Sequence, residues 1–463
     1  MIARNILTCL FIWWGYNAVA QEVKPFHQGD RVVFTGNSIT DGGHYHSYIW
    51  LYYMTRFPNQ RIDVFNAGIG GDVARQIEER LNTDVFAKNP TVVTLTFGMN
   101  DTGYQLLKGN QADAAYQEKI TTAQQSFSKI VADLNRYPNV RKVMIGTSPY
   151  DETSKMPGMV LKGKNHAMQQ IIEIQKNTAR AQHWDFVDFN QPMVQINSRE
   201  QQTDSVFTLQ GRDRIHPFND GHMVMAYLFL KAQGLEGKKV ASVAVDAATG
   251  KINKSENCIL HDLKVRNHKV SFSYQAFALP YPADTVPRGG GAQLHSQADG
   301  LKLVPFNENF NQELLVVHHL QDKQNYTVKI DSVIIGQWTG AELSKGVNLA
   351  VLHSTPQYQQ ALAIMHLNEE RWSLERRLRE YYWLQYSILK PKGLMNQDRE
   401  AIVDSVAKYS RKDIFVAATL NTYKVARFKQ VRDAWQKEMD VLTDQIYKIN
   451  KPVTHQFVIE PTL

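Results

Sequence analysis

The stretch Arg31-Val32-Val33-Phe34-Thr35-Gly36-Asn37-Ser38-Ile39-Thr40 decides the fold of this chain. Its first five residues read as a strand whose apolar residues, Val32-Val33-Phe34, are consecutive, as expected for burial on both faces. A glycine and small polar residues then break the run and make a turn. The same grammar recurs downstream. Residues 62–66 run into Asn66-Ala67-Gly68-Ile69-Gly70-Gly71-Asp72, and residues 91–97 into Gly98-Met99-Asn100-Asp101. Residues 142–147 and 185–188 are further runs of this kind. Between them, residues 46–57, 73–81, 112–137 and 165–183 have the longer amphipathic pattern of helices, and 219–232 adds a last one. Such alternation predicts an α/β fold with a parallel sheet between helices. Ligands of open sheets bind beyond the carboxyl ends of the strands. Ser38, Gly71 and Asn100 follow the first, second and third strands, so the topology gathers them at one edge.

A fourth segment, Asp213-Arg214-Ile215-His216-Pro217, supplies what those three lack. Acyl transfer by a serine needs a hydroxyl nucleophile, an imidazole to take its proton, a carboxylate to orient the imidazole, and donors aimed at the developing oxyanion. Each residue alone has a plainer use. Ser38 could cap the segment after it, Gly70-Gly71 could be an ordinary turn, Asn100-Asp101 and Asp213 could cap helices, and His216 could sit in a surface loop. All of them at strand ends and loops, in one order, argue for chemistry.

The four segments resemble the blocks of the SGNH (GDSL-type) hydrolases, and the match spans residues 28–235. The resemblance implies a three-layer α/β/α sandwich with a flavodoxin-like sheet. It implies Ser38 as nucleophile, His216 as base and Asp213 as its orienter. It also implies an oxyanion hole of the Ser38 and Gly71 backbone N–H groups and the Asn100 side-chain amide. One departure is Asn37, where the family usually has aspartate; that residue is structural, so the change bears on loop geometry. Exported, multi-module relatives often remove acetyl groups from polysaccharides, which implies an exported carbohydrate O-acetylesterase with no cofactor. A lipase or lysophospholipase is the alternative within the family, and a non-catalytic carbohydrate-binding protein is the alternative outside it. The loop after the first strand borders the site, so Asn37, His44 and His46 are expected to line the substrate pocket. A zinc site at His44, His46, His216 and His222 is the rival use of the histidines, but no Glu or Cys is placed to complete it.

At 463 residues the chain exceeds one ordinary domain. Residues 1–20 are predicted to be a cleavable signal peptide: Arg4, an apolar stretch, then Ala18-Val19-Ala20 before the cut. The stretch is too short to span a membrane comfortably, so a periplasmic or extracellular protein is expected. Removal of Cys9 with the signal leaves Cys258 alone, without an intramolecular disulfide partner. The net charge of +7 is spread thinly and, with no arginine-rich or aromatic-interleaved stripe, does not point to nucleic acid. Residues 21–238 are assigned to the hydrolase unit. Residues 239–352, with alternating runs such as Lys269-Val270-Ser271-Phe272-Ser273-Tyr274 and a turn at Gly289-Gly290-Gly291, are assigned to a small antiparallel β-rich module. Residues 353–463 are assigned to a polar helical region with i,i+4 charge pairs such as Glu375–Arg379. Its aromatic group Tyr381, Tyr382, Trp383 and Tyr386 is expected to pack on a neighbouring helix, with a sugar-stacking surface as the alternative. The sequence leaves the oligomeric state open.

Overall fold

The computed structural model describes residues 23–106, 110–289 and 294–462. The predicted signal peptide with Cys9, and Gly290-Gly291 of the glycine turn, lie outside the described residues. Five parallel strands, β1 (Arg31–Gly36), β2 (Asp63–Gly68), β3 (Val92–Leu95), β4 (Arg141–Gly146) and β5 (Asp185–Asp188), form one sheet in the order β2-β1-β3-β4-β5. This is the flavodoxin-like order, with its crevice at the carboxyl ends. The apolar runs feed both faces. Val32, Phe34 and Val64 join the core under helices Tyr45–Arg56 and Asn219–Ala232, while Val33, Val93 and Leu95 join that under Asn110–Asn135 and Lys164–Ala181. Helix Asn190–Glu200 was not anticipated; its polar sequence carries little apolar signal.

Helix Tyr45–Arg56 is buried over all its residues. It lies under the sheet on one side and under the rest of the chain on the other. Its core continues through Leu279, Tyr281, Phe306 and Phe310 into Ala361, Ile364, Ile446 and Tyr447. A helix that is apolar all round needs such a cover.

The β-rich module is two sheets sharing one core. One is antiparallel; the other is mixed, because Glu313–His318 runs parallel to Ala241–Asp246, contrary to a purely antiparallel module. The antiparallel sheet has as its central strand His455–Pro461, which returns after the helices and pairs with Lys269–Ala276 and Asn325–Ile330. The end of the expected helical region is therefore a strand of this module.

The long helix Pro356–Trp383 starts at a Thr355 cap with Pro356 at its first position. It runs on through a π-helical turn, Leu384–Leu389, and stops at Gly393 in the left-handed region. Its charged stripe is not a solvated face. Asn368, Arg371, Glu375 and Arg379 are buried against the back of the α/β unit. Glu375 and Arg379 do not pair with each other. Glu375 takes Arg371 (3.1 Å) and the Asn66 N–H (2.9 Å), whereas Arg379 takes Asp84 (2.8 Å) and the Gly68 carbonyl. Of the aromatic group, Tyr381 packs with Val403, Val406 and Tyr423 of the neighbouring helices, and Tyr386 is also buried.

Candidate active site

Strand β1 ends at Gly36, and Ser38 opens the short helix Ser38–Asp41. Asn37 caps it, its Oδ1 accepting the Ile39 N–H at 3.0 Å. The hydrogen-bonding role expected before the serine is thus filled by an amide oxygen. Gly68, ending β2, must be glycine because a Cβ would strike the Asp41 backbone of this helix. Gly71 has φ +86°, a conformation that favours glycine.

The structure brings Ser38, His216 and Asp213 together. His216 Nε2 lies 2.7 Å from Ser38 Oγ, and its Nδ1 lies 2.5 Å from Asp213 Oδ2. Asp213 Oδ1 accepts the Ile215 and His216 N–H groups, each at 2.9 Å. Burial alone would raise the Asp213 carboxyl, but the His216 ring and these N–H groups hold it below the usual carboxylate range. The His216 and Asp213 side chains are about half exposed, so the site opens directly to solvent. Their loop is anchored from below by Arg214. This residue has φ +66° and a buried guanidinium donating to the Asp151 and Ser154 carbonyls. Sequence reading passed over Arg214, because an arginine in a loop normally reads as surface.

Asn100 lies on the loop after β3, the strand beside β1. Its Nδ2 donates to the Asp72 carbonyl (2.9 Å), and its Oδ1 accepts from the Tyr104 hydroxyl (2.5 Å). A carbonyl can only accept, so these two bonds fix which way the amide faces. One N–H remains to point at a ligand. Burial and the charges of Asp213 and Asp101 push the Tyr104 phenol up, so it keeps its proton and donates. Beneath the loop, Asp101 accepts the Gly98 and Ala74 N–H groups (both 2.8 Å), and Lys164 Nζ donates to the Met99 and Gly103 carbonyls. Burial brings the Lys164 ammonium down to about 7. Among the described residues, no protein acceptor takes the Ser38 or Gly71 backbone N–H. Two backbone donors and one amide donor therefore accompany one hydroxyl–imidazole pair, the inventory required to stabilise a tetrahedral oxyanion.

Asn37, His44 and His46 do not line a pocket; each is almost fully buried. His44 stacks on Trp372 (ring centroids 3.8 Å apart) and meets Glu369 at 3.1 Å, while His46 faces the Thr40 carbonyl at 3.2 Å. Burial lowers His46 to about 4 and keeps it neutral. The long helix covers the outer side of this loop, so residues that border the site in sequence support it from behind. His222 is also buried, stacked on Tyr45. Nor did sequence reading find Arg80, whose guanidinium holds the Gly36 and Ala67 carbonyls at the ends of β1 and β2 together with Asp72 and Asp84.

Residues 34–224 match the GDSL-like Lipase/Acylhydrolase family, and residues 362–451 match the Diltiazem deacetylase C-terminal helical domain. The solved structure of a gut microbial diltiazem-metabolizing enzyme is 49% identical, covers 96% of this chain and 100% of its own, and superposes with a TM-score of 0.92. The acetylxylan esterase of Geobacillus stearothermophilus is 26% identical over 228 residues, 45% of this chain and 95% of that protein. With the α/β/α sandwich, these matches establish that the chain belongs to the GDSL-like lipase/acylhydrolase family and is an esterase of the SGNH type.

Proposed function

We propose that this esterase removes acetyl groups from carbohydrate hydroxyls through an acyl-enzyme on Ser38. The observation that carries the reading is the unbroken chain Ser38 Oγ–His216–Asp213, with Asn100, on the loop after the adjacent strand β3, keeping one N–H uncommitted. Ser38 Oγ attacks the ester carbonyl and its proton passes to His216 Nε2. The oxyanion is received by the Ser38 and Gly71 N–H groups and by Asn100, and Asp213 stabilises the imidazolium. Collapse expels the sugar alcohol, which takes the proton from Nε2. Water then repeats the sequence on the acetyl-enzyme, releasing acetate and restoring the Ser38 hydroxyl. None of these steps calls for a cofactor.

Two things support acetyl as the acyl group and a bulky alcohol as its carrier. The Geobacillus stearothermophilus relative is named for an acetylated substrate, and the family matched by residues 362–451 is named for a deacetylase. The half-exposed His216 also leaves the leaving-group side open to a large alcohol. The similarity over nearly the full chain to a diltiazem-metabolizing enzyme, with the match to the diltiazem deacetylase helical domain, favours a second reading, deacetylation of diltiazem. We place the protein in the periplasm or outside the cell, on the signal-like pattern of residues 1–20. The test is acetate release from acetylated xylooligosaccharides and from diltiazem, with p-nitrophenyl acetate and octanoate for chain length. Release from the glycans supports the carbohydrate reading. Release from diltiazem alone moves the assignment to the second, and faster turnover of octanoate moves it to a lipase.

A further inference from the structure

We propose that Trp383, at the end of the long helix, is a positioning residue of the oxyanion hole: it sets the orientation of the Gly71 N–H through the carbonyl of the same peptide group. The proposal rests on reading Gly71 as an oxyanion donor. Trp383 Nε1 donates to the Gly70 carbonyl at 3.0 Å. The Gly70 carbonyl and the Gly71 N–H belong to one planar trans peptide and point in opposite directions. Holding the first therefore aims the second.

The loop cannot do this for itself. Gly70 and Gly71 carry no side chains, and glycine tolerates both signs of φ, so this peptide has a low barrier to flipping. Indole N–H is a donor only. In the flipped orientation it would face the Gly71 N–H, leaving a half-buried donor without an acceptor. Trp383 therefore selects one of two peptide orientations, the one that turns the Gly71 N–H away from the indole. A hydrogen bond accepted by the carbonyl also polarises the amide and strengthens its N–H as a donor.

The same helix face holds the flanking peptides. Arg379 Nε and Nη2 donate to the Gly68 carbonyl at 3.0 and 2.8 Å. Arg376 Nη1 binds Asp41 Oδ1 at 2.7 Å, and Asp41 Oδ2 accepts the Gly70 N–H at 3.1 Å. Arg376, Arg379 and Trp383 are spaced three and four residues apart, so they share one face of the helix. Directly after Trp383 the helix enters its π turn, and Tyr386 Oη there meets Thr83 Oγ1 at 2.9 Å, pinning the helix end to the α/β unit. Gly70 is packed on the indole: a Cβ there would meet Trp383 Cδ1 at 3.3 Å. The helical region thus finishes a site whose reacting groups all come from the α/β unit.

The experiment replaces Trp383 in the full-length protein by Phe and, separately, by 3-benzothienylalanine, which keeps the bicyclic shape and removes only the N–H. Asn100→Ala is the parallel control. With p-nitrophenyl acetate, both Trp383 variants should lose roughly tenfold or more in kcat, within the 10²–10³ that one oxyanion donor supplies. KM should change less than twofold, because the donor acts in the transition state. Affinity for a boronic acid that forms a tetrahedral adduct on Ser38 should fall by a similar factor. Unchanged kcat in the benzothienylalanine protein, or a rise in KM alone, overturns the proposal. If Asn100→Ala is impaired and the Trp383 variants are not, only this inference fails. If Asn100→Ala also keeps full kcat, the oxyanion-hole reading itself fails.

Discussion

Replacing Tyr104 by Phe isolates what it takes to hold Asn100 in a useful orientation. The substitution deletes one atom, the hydroxyl that donates to Asn100 Oδ1 at 2.5 Å, and leaves the bond from Asn100 Nδ2 to the Asp72 carbonyl in place. The ring is 41% exposed, so stability should hardly change. Its contact over Lys164 Nζ, 4.2 Å from the ring centroid, survives in Phe. Deleting the Asn100 amide outright should lower kcat by about 10²–10³. Deleting one of its two supports should lower kcat by about twofold to tenfold, since a neutral hydrogen bond is worth about 0.5–1.5 kcal/mol net. The assay is steady-state hydrolysis of p-nitrophenyl acetate by wild type, Tyr104→Phe, Asn100→Ala and the double variant. KM should stay constant, and in the Asn100→Ala background Tyr104→Phe should cost nothing further, because its effect acts only through the missing amide. Additive losses, or a loss confined to KM, would refute the reasoning and make Tyr104 a substrate contact.

Ser38→Ala should lower turnover by roughly 10⁶ with the fold intact, and a fluorophosphonate should label the wild type only at Ser38. Asp213→Asn should lose between about tenfold and 10⁴, the larger figure being that of the protease triad; a smaller loss is expected if the short loop alone orients His216. Asp84→Ala should destabilise the protein by about 3–5 kcal/mol in denaturant melts, because it leaves buried Arg80 and Arg379 without their shared carboxylate. His295 is raised above its ordinary value of about 6.5 by its bond to Asp220 (2.5 Å). Its contribution should be complete below that value and vanish as pH rises through the raised one. The stability gap between wild type and His295→Gln should therefore close as pH rises above about 6.5; a gap that widens would contradict the pairing.

The α/β unit was legible because its signals are local. Consecutive valines in β1 and β3 can be satisfied only by burial on both faces, and parallel order then brings Ser38, Gly71 and Asn100 to one edge. Asp213 and His216 were legible for a different reason. They lie within three residues of each other, so the loop that carries one carries the other, and the carboxylate can bond both the ring and the backbone beside it. Nothing local announces Tyr104, whose role exists only because a loop brings its hydroxyl to the one acceptor atom of Asn100.

Burial of charge separates what the sequence by itself determined from what only the tertiary structure decided. Composition, periodicity and motif order determined the layered sheet, the strand ends and the candidate reacting groups, because each depends on residues near one another in the chain. The stripe of Arg371, Glu375, Arg376 and Arg379 has the spacing of a solvated helix face, and in isolation it would be one. Its partners Asp41, Asn66, Gly68 and Asp84 lie about 300 residues away, and a charged side chain gives no local sign of whether water or a distant carbonyl will satisfy it. The same reason moved His44 and His46 from the pocket wall to its backing, and returned residues 455–461 to the β-rich module. Which surface covers a loop or accepts an edge strand is settled only when the chain closes on itself.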